Sequence, residues 1–210
     1  TREVVQTEGV PGGFAAIYPV LRAMEEAGRI RRGYFVKGLG AAQFSAPGAE
    51  DWLRSCREAP AESRAVVLAA TDPANVWGAA LPWPASRADR DGVRLERRAG
   101  ARVVLVDGEL AAYLARGEKE LVTFLADDAP SRERVARLIA EALAALVDGE
   151  TRPALLIPSI DGERPERSAL APFLEAAGFR QAADGYLLSL RRDSGRLRGA
   201  GRSRESVDDA

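Results

Sequence analysis

Histidine is absent from all 210 residues. This removes the usual general base near neutral pH and the commonest zinc ligand. A Ser-His-Asp or Cys-His mechanism therefore cannot be assembled from this chain alone. Cys56 is the single cysteine, which excludes an intrachain disulfide and fits a reducing compartment. No run of about 18 uncharged apolar residues occurs, so no membrane span is expected. No signal-peptide pattern opens the chain. There is no G-x-x-x-x-G-K-[ST] loop and hence no recognisable site for ATP hydrolysis. Lysine is nearly absent too: Lys37 and Lys119 stand against a background of arginine. The formal charge is −1, so no global field draws the chain onto a polyanion, and any nucleic-acid contact must come from a local patch.

Apolar residues make up 46% of the chain, enough to bury a substantial core in one large domain or two small ones. The opening "TREVVQTEGVPGG" lacks Met and reads as an entry in mid-protein, so a segment of a longer chain is expected. Residues 1–9 form a short helix or strand. Phe14, Ile17, Leu21 and Met24, with Val20 alongside, then recur at helical spacing. Pro19 should kink that helix or shorten its first part, and Gly28 fits its C-terminal cap. Ile30 to Val36 reads as a strand that turns at Gly38 and Gly40 and returns through Ala41 to Ser45. Helix followed by a two-stranded ribbon is how a winged helix ends. A short helix is expected from about Gly48 to Ala59.

The second half changes character. Val66 to Ala70 suggests a buried strand, and the Pro-rich "VWGAALPWPASRADRDG" a loop. "VRLERR", "ARVVLVDG" and "KELVTFLA" read as consecutive strands, with "ELAAYLARGEK" a strand or connection. "SRERVARLIAEALAALVDG" is the clearest helix, with Ser131 as its N-cap and Gly149 at its end. "PALLIPSIDG" is a strand, "ERSALAPFLEAAG" a helix and "GYLLSLRR" a last strand. The reading is an α+β protein. A winged-helix unit at 1–60 precedes a β-barrel-like or curled-sheet unit with two packed helices at 61–193. A disordered tail follows at 194–210, poor in apolar groups.

The candidate site residues fall in four places. Arg29, Arg31, Arg32 and Lys37 can hold phosphates while Tyr34 or Phe35 stacks a base, the alternative being a solvated hairpin. By the period of two, Arg29 and Arg31 share one face and Arg32 the other. Gln43 can orient a water or a base edge, or serve as an edge-strand polar residue. Asp72 in "TDPAN" is a turn initiator or, with Trp77 and Trp83, part of a polar pocket. Asp161, Glu163 and Glu166 resemble a turn with solvated charges, metal binding being the lesser alternative. Asp193, kept ionised by Arg191 and Arg192, is a surface ion pair or a carboxylate that stabilises a cation or activates water.

"VPGGFAAIYPVLRAMEEAGRIRRGYFVKGLGAAQFSAPGAEDWLR", followed by "VLAATDPANVWGAALPWP", resembles the C-terminal region of the long bacterial large helicase-related (Lhr) proteins, 3′-to-5′ ATP-dependent DNA helicases. The likeness covers about residues 1–193. It implies upstream motor domains that carry ATP and Mg, with no cofactor or metal in this segment. It implies winged helices and a β-barrel module similar to winged-helix DNA glycosylases. Their Gln–hydrophobic–Gln motif has its nearest counterpart in Gln43-Phe44-Ser45, which lacks the second glutamine. The implied role is a DNA-binding and assembly module of a repair helicase. The alternative is excision of damaged or uracil bases, with Asp193 and then Asp72 as the first carboxylates to test. The implied partners are single-stranded or forked DNA, the helicase core of the same chain and further copies of it, with no membrane. The implied location is the bacterial cytoplasm, at the nucleoid.

Overall fold

The computed structural model describes residues 1–40, 42–58, 60–85 and 93–190. Residues 1–9 supply α1 (Arg2–Thr7), capped by the Thr1 hydroxyl, which accepts from the Val4 amide. α2 (Gly13–Glu26) continues through Pro19 as one helix. Proline withholds the N–H that would bond the Ala15 carbonyl, but Ala15 is exposed and water can take its place. Phe14, Ile17, Leu21 and Met24 face inward, whereas Val20 is turned out to solvent. Gly28 adopts φ 68° just past the helix, the left-handed position expected of it.

The ribbon is shorter than its sequence suggests. β1 (Arg31–Gly33) and β2 (Gln43–Ser45) pair antiparallel with Gly33 opposite Gln43. The ladder stops there because the Gln43 side chain takes the amides of Phe35 and Val36. α3 is a short helix, Ala49–Ser55.

Four antiparallel strands follow: β3 (Ala65–Ala69), β4 (Arg102–Val106), β5 (Glu109–Leu114) and β6 (Leu121–Thr123), in that spatial order. β4 and β5 turn through Asp107 and Gly108, both at positive φ. That is the Asp-Gly signature of a tight hairpin. Between Val104 and Leu105 the register slips by one residue, which makes Ala111 an extra residue and turns it to the same side as Ala112. α4 (Ala129–Ala144) lies against β3, β4 and β5 and buries Ala136, Ile139, Ala140 and Leu143. Each large side chain so buried contributes about 1.5–3 kcal/mol of transfer free energy. A second sheet, in the order β7 (Ala154–Ile157), β9 (Gly185–Ser189), β8 (Arg180–Ala182), packs with α5 (Ala171–Ala176) into the same core through Leu155, Ile157, Leu174, Phe179 and Tyr186. At Gly185 the two strands come so close that a Cβ would stand 2.2 Å from the Ile157 carbonyl oxygen.

The α+β class and the winged-helix-then-curled-sheet architecture hold, and five further details differ. The sheets do not close into a barrel; they meet through a bridge between Leu121 and Ile160. β3 is a half-exposed edge strand, with Val66 44% exposed, because only β4 flanks it. "VRLERR" is not a strand, since Arg97 is drawn to loop carbonyls. The α4 cap is Asp128, whose Oδ2 accepts from the Ser131 amide at 3.0 Å, so Ser131 already lies in the first turn. β8 is an additional strand. Asp193, Arg191, Arg192 and the expected tail lie outside the described residues.

Candidate nucleic-acid interface

Residues 27–48 contain four cations and no acid, the densest positive stretch of the winged-helix unit. The hairpin divides those cations. Arg31 turns to α3, where Nη1 donates to Glu50 Oε1. Arg32 turns to α2, with Nε 3.2 Å from Glu25 Oε1 and Nη1 3.4 Å from the Tyr18 hydroxyl. The opposite-face expectation for these two residues is met, but both charges are answered from within. Arg29 and Lys37 have no carboxylate within ion-pairing distance among the described residues. Tyr34 lies between them in sequence with 82% of its surface exposed, and Phe35 folds back over Gly33.

Gln43 is not a free base reader. It is 1% exposed, and both ends of its amide are engaged. Oε1 accepts from Phe35 N at 3.0 Å and Val36 N at 2.8 Å, while Nε2 donates to Val36 O at 3.0 Å and Leu39 O at 3.3 Å. Those four bonds fill the capacity of a side-chain amide. The far side of the loop is tethered by Glu3, whose Oε1 accepts from the Gly40 amide at 3.2 Å. Backbone amides, its own first and that of Gly40 next, hold the Glu3 carboxyl below its usual pKa against the opposing effect of burial.

The TDPAN turn is closed by its own polar side chains. Asp72 Oδ1 accepts from the Ala74 amide at 2.8 Å, the turn role expected of an Asp before Pro. Asn75 is buried; its Nδ2 donates to Ala70 O at 2.8 Å and its Oδ1 accepts from Trp77 N at 3.1 Å. The Arg97 guanidinium donates to the carbonyls of Thr71, Asp72 and Asn75. Trp77 and Trp83 pack into the second hydrophobic cluster, Trp83 edge-on to Tyr113 at 5.5 Å, rather than walling a pocket around Asp72.

A cleft of about 720 Å³ opens elsewhere, between β6, the loop into α4 and residues 160–169. Thr123, Phe124, Asp127, Arg132, Asp161 and Arg167 line it. The expectation of solvated charges fails for Asp161. Its Oδ1 accepts from Thr123 N at 2.7 Å and its Oδ2 from Thr123 Oγ1 at 2.6 Å, a clasp between the two sheets. Asp161 and Gly162 form a second Asp-Gly turn at positive φ. Arg132 spends its Nε and Nη2 on the carbonyls of Ala126 and Asp127. Nothing local in the sequence joins residue 123 to residue 161; the Leu121–Ile160 bridge does so.

The helix–ribbon arrangement with its cationic wing defines the first unit as a winged helix, followed by an α+β unit. Residues 1–65 match the family described as large helicase-related protein, winged-helix domain. Over 201 residues the chain is 46% identical to "Lhr helicase/ probable uracil glycosylase" of Mycolicibacterium smegmatis, covering 90% of this chain and 13% of that relative. Over 188 residues it is 36% identical to "Lhr helicase/uracil glycosylase" of Escherichia coli, covering 88% of this chain and 12% of that relative. The chain belongs to the large helicase-related (Lhr) family, and it spans about an eighth of the length of these curated relatives.

Proposed function

We propose that this chain is a nucleic-acid-binding module of an Lhr-type 3′-to-5′ DNA helicase, from the C-terminal part of the protein, and that the wing of its winged helix supplies the contact. The carrying observation is that Arg29 and Lys37, which flank exposed Tyr34 in sequence, have no carboxylate partner among the described residues and lie in a stretch without acids. ATP and Mg belong to motor domains elsewhere in such a protein, and the work done is DNA repair in the cytoplasm, at the nucleoid. Among the described residues no helix is long and apolar enough to cross a membrane. The partners are single-stranded or forked DNA, the helicase core and further copies of the chain.

The test is the salt dependence of binding to a single-stranded oligonucleotide. Each phosphate that the protein ceases to neutralise lowers the slope of log K against log salt by roughly 0.7. Replacing Arg29 and Lys37 together by Ala should release two phosphates. Arg31→Ala and Arg32→Ala, which break internal ion pairs, should move the slope much less. An unchanged slope in the double variant overturns the assignment.

The second reading is base excision, favoured by the names of the relatives. Breaking an N-glycosidic bond builds positive charge on the sugar, which an ionised carboxylate stabilises. A uracil-containing strand should lose its uracil to water with the chain, leaving an abasic site that later alkali treatment cleaves, and should keep it with Asp193→Asn, with Asp72→Asn as the second variant. Full activity in both variants removes these carboxylates as catalysts.

A further inference from the structure

The base of the wing loop is clamped from inside by the Gln43 side chain, and its far end is tethered by Glu3. Gln43 binds four of its backbone groups, from Phe35, Val36 and Leu39, and is itself sealed from water. Without that amide the loop is left with the Glu3 tether at Gly40. Gly38 and Gly40 give it wide backbone freedom, and the ladder ends at Gly33. Burying a Gln is costly unless every polar atom is satisfied, and here it is. The outward result of the inward clamp is Tyr34, whose ring is left on the surface with Arg29 and Lys37 near it in sequence. A ring carried on a fixed backbone loses less entropy when a base stacks on it than one on a mobile loop, and flanking cations supply the charge complement of a strand backbone.

We infer that the wing is a preorganised stacking platform for an unpaired base of single-stranded nucleic acid, with Tyr34 as the ring that meets the base and Gln43 as the positioning residue that fixes the loop. The inference rests on the nucleic-acid reading above and adds to it the bases themselves. A wing that held only phosphates would bind a strand stripped of its bases equally well. A strand in a duplex hides the faces that Tyr34 needs, so the preferred substrate is an unpaired one.

The experiment compares three ligands for the whole chain: an oligo(dT) strand, the same length of abasic phosphate backbone, and a duplex of equal length. The chain should bind oligo(dT) more tightly than either alternative. Tyr34→Ala should weaken oligo(dT) binding roughly five- to hundred-fold while leaving abasic binding and the salt slope unchanged, and Tyr34→Phe should restore it. Gln43→Met keeps the volume and removes the amide. It should speed hydrogen exchange at the Phe35 and Val36 amides and lower oligo(dT) affinity, with no further loss when combined with Tyr34→Ala. Equal wild-type affinity for oligo(dT) and abasic strands, at an intact salt slope, overturns the stacking role and leaves the phosphate reading standing. Tighter binding to duplex, or wild-type affinity in Tyr34→Ala, also overturns it. Binding to none of the three overturns both readings. If Gln43→Met unfolds, the Tyr34 pair still decides the stacking, and Gln43→Asn, one methylene shorter, tests the clamp.

Discussion

Arg31 and Arg32 are neighbours in sequence and end on opposite sides of the ribbon, one answered by α3 and the other by α2. Exposed ion pairs of this kind contribute on the order of 0–1 kcal/mol each, so their role is to orient the hairpin more than to hold it. Tyr186 is the contrasting case, a buried polar group with a single partner. Its hydroxyl donates to Glu175 Oε1 at 2.6 Å. That bond, then burial, then the negative charges of Glu175 and Glu166, push its pKa from the usual 10.0 up to about 12. A raised folded-state value means the folded protein holds the proton more tightly than the unfolded chain. The resulting stabilisation is complete below pH 10 and is lost between 10 and about 12. Denaturant unfolding across that window should show Tyr186→Phe losing stability less steeply than the wild type. At neutral pH the variant should be weaker by roughly 1 kcal/mol for the missing hydrogen bond. The slope that remains includes Tyr113, which burial also raises. Equal steepness in both proteins would mean that the Tyr186 proton is not held by folding.

Elements differ in how much of themselves they announce. α4 is legible because its apolar residues repeat at the helical period over four turns, and the helix does bury that stripe. The two Asp-Gly turns are legible for a local reason as well, since Asp tolerates and Gly prefers the positive φ that a tight hairpin needs. β8 gives no signal: Arg180, Gln181 and Ala182 are all exposed, and the strand exists because β9 offers it a ladder. "VRLERR" gives a false one. It alternates like a strand, but Arg97 finds three carbonyls of the TDPAN turn, and a long-range contact decides the segment. The wing is legible as a charged ribbon, with its aromatics and its turn glycines. The direction of each side chain is not. Which arginines are paired depends on Glu25 and Glu50, and whether Gln43 points in or out depends on where the ladder ends. The cleft is hidden for the same reason, because its Thr123–Asp161 clasp joins segments 38 residues apart.

Across the whole molecule the apolar core is distributed very unevenly. Among the described residues Val5 is the one buried hydrophobic side chain before residue 60, and all the others lie between Ala70 and Tyr186. The winged-helix unit instead relies on partly buried stripes, ion pairs to the hairpin and the Gln43 clamp. Local opening free energy follows buried apolar contact, so the two halves should open separately. Native-state hydrogen exchange checks this. Amides of β4, β5 and α4 should exchange only through global unfolding, while those of α2 and the wing should exchange faster, by a factor of roughly ten for every 1.4 kcal/mol of difference in opening free energy. Adding single-stranded oligonucleotide should slow the wing and α2 selectively, because a ligand that binds only the closed state stabilises what it touches. Equal protection of α2 and α4 without ligand would show one cooperative unit, with the winged helix borrowing stability from the larger core. Unequal protection that oligonucleotide leaves unchanged would separate the mobility of the wing from any binding role.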